Sequence, residues 1–436
     1  MDFPRHDEGI AVSRLMRLAI LTLASLAVSA APGTGFITFN KQVLPILQKN
    51  CQSCHRPGEA APMSLLDYQS TRPWAKAIKQ AVLSGKMPPW FADPEYGHFA
   101  NDSRLSDADI KTLVSWVDTG APEGDPKDKP PPLRWKEGWN IRPDIVVALP
   151  QPYTVPASGV LQYVYIVVPT GFVKDTWVTA AEIRTSAPSV VHHINAIVRP
   201  PGAPWFRDVK PGVPYVPDPA SRDGQPDSTD PQAQLFGAED EFLAGYAPGM
   251  GAQRFDLDHS AKLIPAGSDI VLQIHHTPNG KTEVPDLVRV GLTLAKEPPA
   301  RRFYSASVVS WQWEIPPGDP NYEGHARLTF GEPVELVFIQ PHMHLRGKDM
   351  TIRLRFPGGE SQTILRVPRY DFSWQTVYYL SQPLQVPKGT RVEITAHWDN
   401  SANNPYNPDP GKTVKWGIQS WDEMLNVNLG VITDLD

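Results

Sequence analysis

The spacing of the apolar residues changes near residue 143. Before it, residues 105–120 (LSDADIKTLVSWVDTG) place apolar side chains three or four positions apart, as an amphipathic helix does. Ser106 suits the N-cap of this helix and Gly120 suits its end. A second helix is indicated by FNKQVLPILQKN, whose apolar residues share one side. The pattern predicts a small all-α domain over residues 36–120.

Beyond residue 143, apolar and polar residues alternate in short runs. Examples are LQYVYIVVP, VVHHINAIV, DIVLQIHH, PVELVFIQPHMH and RVEITAHW. Alternation with a period of two, rich in β-branched and aromatic residues, predicts strands, and the Pro and Gly turns between them favour antiparallel sandwiches. About 290 residues is generous for one sandwich. We therefore predict two all-β sandwich domains, at 143–299 and 300–436.

Two stretches lack either pattern. Residues 121–142 begin APEGDPKDKPPPLRWKEG, and proline and charge are so frequent there that we interpret them as a linker. Residues 200–240 are rich in Pro, Gly and Asp and predict a long surface loop. The predicted organisation is multidomain, with one helical domain, a Pro-rich linker and two sandwiches.

The beginning of the chain is typical of an export signal. Arg14 and Arg17 precede the apolar run LAILTLASLAVSA, which small residues follow. The run is short for a membrane span, so residues 1–31 are predicted to be a signal peptide, with a retained anchor as the alternative. Translation could start at Met1 or at Met16. A periplasmic or secreted protein without a stable membrane span is expected.

The charge of the chain argues against one class of partner. Its formal net charge is −6, and no block of basic residues occurs. Proteins that bind nucleic acid usually carry a basic patch or stripe. No nucleic-acid partner is therefore expected.

The only two cysteines form the motif CQSCH, with Cys51, Cys54 and His55. C-x-x-C-H attaches haem c through both sulfurs, and its histidine becomes an axial iron ligand. A redox dithiol would be expected in a βαβ context, and a zinc site would need a second ligand pair nearby. Neither accompanies the motif, so one covalently bound haem c is predicted.

The second axial ligand of the haem iron is less well defined by the sequence. Met87 lies in the irregular segment SGKMPPWFADP, a common setting for the methionine ligand of cytochromes c. Met63 and His98 are the alternatives. Met87 is the predicted ligand.

Six of the 12 histidines form three pairs in strand-like segments: His192 with His193, His275 with His276, and His342 with His344. Alternate strand residues share a face, so His342 and His344 are able to bind one ion. For His192 and His193 to do so, their strand must bulge. His275 could add a third imidazole, and His276 is left outside the ligand set. Imidazole-rich sites suit copper or zinc.

Apart from His55, the other histidines are interpreted as ordinary surface or hydrogen-bonded residues. These are His6, His98, His259, His325 and His397.

Four ordered segments resemble a known family. SVVHHINAIVRP, VLQIHHTPNG, FIQPHMHLRGK and SWDEMLNVN are similar, in that order, to motifs of the copper type II, ascorbate-dependent monooxygenases. Peptidylglycine α-hydroxylating and dopamine β-monooxygenases are members of this family. The resemblance covers about residues 144–436. It implies two jelly-roll-like sandwiches, one copper ion in each, that face each other across a solvent-filled cleft.

The resemblance also implies the ligands of two copper ions. The electron-storing copper would be held by His192, His193 and His275. The copper that activates oxygen would be held by His342, His344 and Met424, which would be the catalytic residues. A thioether ligand favours Cu(I), the state that reacts with O₂.

Two positions depart from the peptide-hydroxylating members. Gln340 stands where they carry the arginine that binds a substrate carboxylate, and Asn428 replaces a substrate-contacting tyrosine. Asn426 and Gln273 match the family. A glycine-extended peptide is therefore not the expected substrate.

These inferences predict a monooxygenase that hydroxylates a C–H bond of a small-molecule or peptide-like substrate with O₂. Its two electrons would come through the fused haem c from a periplasmic donor, either an ascorbate-like reductant or a cytochrome. A copper oxidase and a non-catalytic copper-binding electron-transfer protein are the alternatives. Substrate-dependent O₂ uptake with a hydroxylated product would distinguish them.

Overall fold

A computed structural model describes residues 36–217 and 241–435. The predicted signal peptide and the larger part of the predicted 200–240 loop lie outside these residues. The described chain from Ile37 onward belongs to one compact unit. None of its described helices is long and apolar enough to span a membrane.

The described helices are short and lie mainly before residue 120. The four α-helices are α1 (Leu44–Asn50), α2 (Tyr68–Thr71), α3 (Ala75–Leu83) and α4 (Asp107–Asp118). A π-helical turn covers Phe39–Val43, and 3₁₀ turns cover Arg72–Trp74, Pro126–Asp128, Pro188–Val190 and Leu257–His259. The Ser106 side chain accepts a hydrogen bond from the Asp109 N–H and caps α4, as its sequence predicts. Phe39, Leu47, Leu113 and Trp116 pack in the core between these helices.

Eleven strands lie between residues 145 and 294 among the described residues. They are β1 (Ile145–Ala148), β2 (Tyr153–Val155), β3 (Val164–Pro169), β4 (Thr176–Arg184), β5 (Val191–Arg199), β6 (Glu241–Tyr246), β7 (Gln253–Arg254), β8 (Ser260–Ile264), β9 (Asp269–His276), β10 (Val284–Asp286) and β11 (Arg289–Leu294). One sheet has the order β1-β11-β4-β8, with β7 beside β4, and the other has the order β3-β9-β5-β6. β2 and β10 form a separate pair. These two layers, of five and four strands, form the first sandwich.

Ten further strands follow between residues 301 and 434. They are β12 (Arg301–Ser310), β13 (Glu314–Ile315), β14 (Tyr322–Thr329), β15 (Val334–His342), β16 (Gly347–Arg355), β17 (Ser361–Val367), β18 (Tyr378–Val386), β19 (Arg391–Trp398), β20 (Val414–Lys415) and β21 (Leu425–Asp434). The sheets have the orders β12-β21-β15-β18 and β14-β19-β16-β17, and β13 pairs with β20. These layers form the second sandwich. The prediction of a mainly β-sandwich protein is confirmed.

The two sandwiches share one continuous sheet. β8 of the first and β12 of the second run parallel and pair at two positions, Arg301 with Ser260 and Arg302 with Ala261. Phe338 and Ile432 of the second sandwich pack in the core of the first. This junction fixes the edge of one sandwich against the edge of the other.

Residues 84–101 depart from the expected domain boundary, because they pack on the second sandwich. Trp90 and Phe91 are buried in its hydrophobic core. The Ala100 N–H donates to the Tyr379 carbonyl at 2.8 Å, and the Ser381 N–H donates to the His98 carbonyl at 2.8 Å. Burial of two large aromatic side chains stabilises this packing, although the residues are close in sequence to the helices. The segment predicted as part of the helical domain therefore completes a β core.

The Pro-rich segment at 121–142 is also fixed at its end. Glu182 of β4 accepts hydrogen bonds from the backbone N–H groups of Asn140 and Ile141, at 2.6 and 3.1 Å. The Trp139 ring covers Gly291 of β11 so closely that a Cβ there would meet it at 2.8 Å. The end of the 121–142 segment is thus attached to the first sandwich by hydrogen bonds and by packing, and this segment connects the helices to it.

Candidate metal centres

The first histidine group consists of His192, His193 and His275. His193 of β5 lies opposite His275 of β9, and the pairing of these strands shifts between Val191 and His193. This is the bulge that two adjacent ligands require. One ring nitrogen of each histidine lies within 4.8 Å of the other two, and the Nδ1 atoms of His192 and His193 are 3.0 Å apart. The geometry suits three imidazoles around one ion.

The environment of this group keeps its imidazoles neutral. Burial, together with neighbouring histidines, lowers the pKa of His192 to about 4 and that of His275 to about 3. Burial also holds the pKa of His193 well below its usual value. His275 Nδ1 is buried and has no hydrogen-bond partner among the described residues. A neutral imidazole with an unpartnered nitrogen is ready to bind a metal ion.

His276, the neighbour of His275, has a different role. Its Nε2 lies 3.0 Å from the Asp286 carboxylate, and its ring stacks on Tyr153. Because successive strand residues point to opposite faces, His276 points away from the first group. Its omission from the predicted ligand set agrees with these contacts.

The second group consists of His342, His344 and Met424. The rings of His342 and His344 lie 5.1 Å apart between centroids. His342 Nδ1 donates to Gln375 Oε1 at 2.7 Å, and His344 Nδ1 donates to the Asp422 carbonyl at 3.2 Å. Each histidine thus keeps Nε2 for a ligand, and the Nε2 of His344 is buried without a partner in the described chain.

Met424 lies directly before β21, next to Glu423. Glu423, its neighbour, is fully buried and accepts hydrogen bonds from the His344 N–H at 2.8 Å, the Arg346 N–H at 2.6 Å and the Trp398 indole at 3.0 Å. Met424 itself is buried. These bonds hold the Met424 segment against the turn that carries His344.

Two aromatic side chains contact both groups, and no motif in the sequence indicates either of them. The Tyr163 ring lies 4.6 Å from the His275 ring and 6.2 Å from the His344 ring. The Phe372 ring stacks on His192 at 4.9 Å and lies 5.7 Å from His344.

The resemblance implies a solvent-filled cleft between the two groups, and Tyr163 and Phe372 are side chains that contact both of them. Only the alternation in LQYVYIVVP, which places Tyr163 and Tyr165 on one face, could have drawn attention to Tyr163.

A neutral polar face adjoins the second group. Gln340 shares a strand face with His342, and the register places Gln340 opposite Asn428 and His342 opposite Asn426. Asn428 donates to Gln340 at 3.4 Å and accepts from the Ser307 hydroxyl at 2.8 Å. Asn426 Oδ1 is buried without a partner in the described chain. A negatively charged ligand at this face would require a cationic side chain. Carboxamides and a hydroxyl occupy these positions instead.

The C-x-x-C-H motif follows α1 directly. Cys51 and Cys54 are free thiols, and burial raises the pKa of Cys51 to about 12. The His55 N–H donates to the Cys51 carbonyl at 2.9 Å, and burial lowers the pKa of the His55 imidazole. Two unpaired sulfurs and a neutral imidazole on one short turn are the donor set that haem c attachment needs.

The three candidates for the second axial ligand lie in different settings. Met63 packs on the helical core. His98 is exposed and its carbonyl is bonded to Ser381, so its backbone belongs to the edge of the second sandwich. Met87 lies half-buried between α3 and Trp90. Met87 as the ligand stays a prediction.

Comparison with known proteins adds little to this picture. No protein-family model matches the chain, and comparison with curated proteins finds no match either. Among solved structures, the major capsid protein P2 of bacteriophage PM2 is 6% identical, with a TM-score of 0.27 over 67% of this chain and 98% of that chain. Empty cowpea mosaic virus particles give 9% identity and a TM-score of 0.28, over 66% and 92%. Scores this low leave fold and function to be argued from this chain.

Proposed function

We propose that this protein is an exported copper-dependent monooxygenase that hydroxylates a C–H bond with O₂ and receives electrons through a covalently attached haem c. The observation that carries the proposal is the meeting of two buried histidine groups, one from each sandwich, around Tyr163 and Phe372. Copper bound there would supply one-electron redox chemistry and the activation of O₂.

Each group supports the proposal by its donors. The first consists of imidazoles alone, which suit an ion that changes between Cu(II) and Cu(I). In the second, the Met424 thioether would favour Cu(I), while Gln375 and Asp422 fix which nitrogens of His342 and His344 face the ion. Phe372 and Tyr163 would limit the access of water to both groups.

The face beside His342 supports a neutral substrate. Gln340, Asn426 and Asn428 offer amide donors and acceptors without a formal charge. A small molecule or a peptide-like compound that is held by hydrogen bonds, and not by a carboxylate, fits such a face. The exported location rests on residues 1–31, which lie outside the described structure.

The test uses the full chain from a host that attaches haem c. The proposal requires about two copper ions and one haem per chain, with haem that acid–acetone does not extract. A screen of neutral compounds under ¹⁸O₂ should give one product that carries a single ¹⁸O atom. His325→Ala, at an exposed position, is the control for metal content. Redox cycling of bound copper without oxygen incorporation would favour an electron-transfer protein, and peroxide formation would favour an oxidase.

A further inference from the structure

The C-x-x-C-H motif lies against one particular turn of the first sandwich. This turn follows β6 and covers residues 247–251; we term it the β6 turn. Cys54 Sγ lies 3.3 Å from the point where Gly249 would carry a Cβ. Gly249 has a φ of +87°, a conformation that side chains disfavour, so glycine permits both the turn and the close approach of the sulfur.

A second observation places the motif beside the same turn. Burial raises the pKa of Tyr246, the last residue of β6, and the nearby Glu59, Asp286 and Cys54 raise it further. Glu59 follows the motif and pairs with Arg56, whose guanidinium lies 4.1 Å from the centre of the Trp135 ring. The haem attachment residues are thus bordered by β6 and by the segment that leads into the first sandwich.

A short path leads from this turn to the first histidine group. Gly249 is three residues from Tyr246, and Tyr246 pairs with Ile194 of β5. Ile194 is the next residue after His193. The contacts that we observe between the helical region and the second sandwich involve a different segment, residues 84–101. The motif therefore approaches one histidine group through two hydrogen-bonded strands.

We propose that the β6 turn receives the attached haem and that β6 and β5 conduct its electrons to the first histidine group and not to the second. The inference rests on the proposed function, because it requires both haem and copper. With haem and copper bound, each transfer would move one electron from ferrous haem to a cupric ion at the first histidine group and would leave ferric haem and a cuprous ion. No bond forms or breaks, and no proton is required. The rate of electron tunnelling through protein falls steeply with distance. The close approach of Cys54 to Gly249 would therefore control the rate of transfer from the haem to the copper.

The first test changes the contact and leaves the ligands intact. Gly249→Asn adds a side chain against Cys54, and asparagine tolerates a positive φ better than most residues. The matched control is Gly202→Asn, since Gly202 has a φ of +83° and open space around its Cβ position. Haem is photoreduced without O₂ in the copper-loaded full chain, and its reoxidation by Cu(II) is followed optically. Gly249→Asn should slow this phase at least tenfold at unchanged haem and copper contents, and Gly202→Asn should leave it unchanged. An unchanged rate in Gly249→Asn, or equal slowing in both variants, would overturn the proposal.

The second test identifies the acceptor. His275→Ala should abolish the fast reoxidation of the haem, while the double change His342→Ala and His344→Ala should preserve it. The reverse result would assign the second group as the acceptor and overturn the proposal. Metal and haem contents distinguish the two levels of failure: a chain without covalent haem or without copper contradicts the proposed function itself. If the chain carries haem and copper and hydroxylates its substrate, but Gly249→Asn does not change the rate of haem reoxidation, only the proposed path is contradicted.

Discussion

The two histidine groups are built in different ways. In the first, strand pairing brings His193 and His275 together, and one bulge adds His192. In the second, His342 ends a strand, and His344 and Met424 come from connecting segments that side-chain hydrogen bonds hold together. The backbone hydrogen bonds between paired strands form whenever the sandwich folds, whereas a single substitution can remove a side-chain hydrogen bond. The first group should therefore withstand changes around it, and the second should depend on its supporting residues.

The largest expected effect tests whether each histidine group binds its own copper ion. His193→Ala should remove about one of two copper ions per chain, and the double change His342→Ala and His344→Ala should remove the other, because each leaves one ligand set intact. Copper is measured by elemental analysis of dialysed protein, with His325→Ala as control. Loss of all copper from either variant would indicate one shared centre, and the comparison of two groups would fail.

The next effect concerns the cores around the groups. Trp90→Ala should lower the free energy of unfolding by about 3–5 kcal/mol, since the ring is buried in the core of the second sandwich. Trp74→Ala, at a 42% exposed position, should cost far less. Urea unfolding measures both. Equal costs would show that the second sandwich does not need the 84–101 segment, and a chain that starts at residue 143 would then be expected to fold.

The sequence predicts the first group better than its surroundings. Alternation in VVHHINAIV and DIVLQIHH identifies β5 and β9, and adjacent ligands require the observed bulge. The packing of Trp90 and Phe91 was missed, because an aromatic residue in a Pro-rich segment has no periodicity that indicates its partner. The parallel junction of β8 and β12 was missed for a related reason, since two paired positions leave no pattern.

A smaller effect tests the hydrogen bonds that support the second group. Gln375 donates to the Phe372 carbonyl at 2.8 Å, which directs its Oε1 toward His342. Gln375→Leu should weaken copper binding at this group about 10- to 100-fold, because outer hydrogen bonds orient a ligating histidine. The affinity of the first group should stay the same. Titration with a competing chelator measures both affinities, and Gln362→Leu, at an exposed position of β17, is the control. Equal weakening at both groups would contradict the difference in their construction.

The smallest effect concerns the ring that both groups share. Tyr163 is fully buried, and its hydroxyl has no hydrogen-bond partner among the described residues. Because a buried unpaired hydroxyl is costly, Tyr163→Phe should leave the free energy of unfolding unchanged or raise it by up to about 1 kcal/mol. Tyr165→Phe is the matched control: the Tyr165 hydroxyl accepts a hydrogen bond from Gln273 at 2.5 Å, so its loss should cost about 1–2 kcal/mol. Urea unfolding of the copper-free proteins compares the two variants. If Tyr163→Phe destabilises the fold as much as Tyr165→Phe does, the Tyr163 hydroxyl has a structural hydrogen-bond partner. The contact of Tyr163 with the two groups would then not be limited to its aromatic ring. If stability is unchanged but oxygen incorporation falls, the hydroxyl acts in the chemistry between the groups.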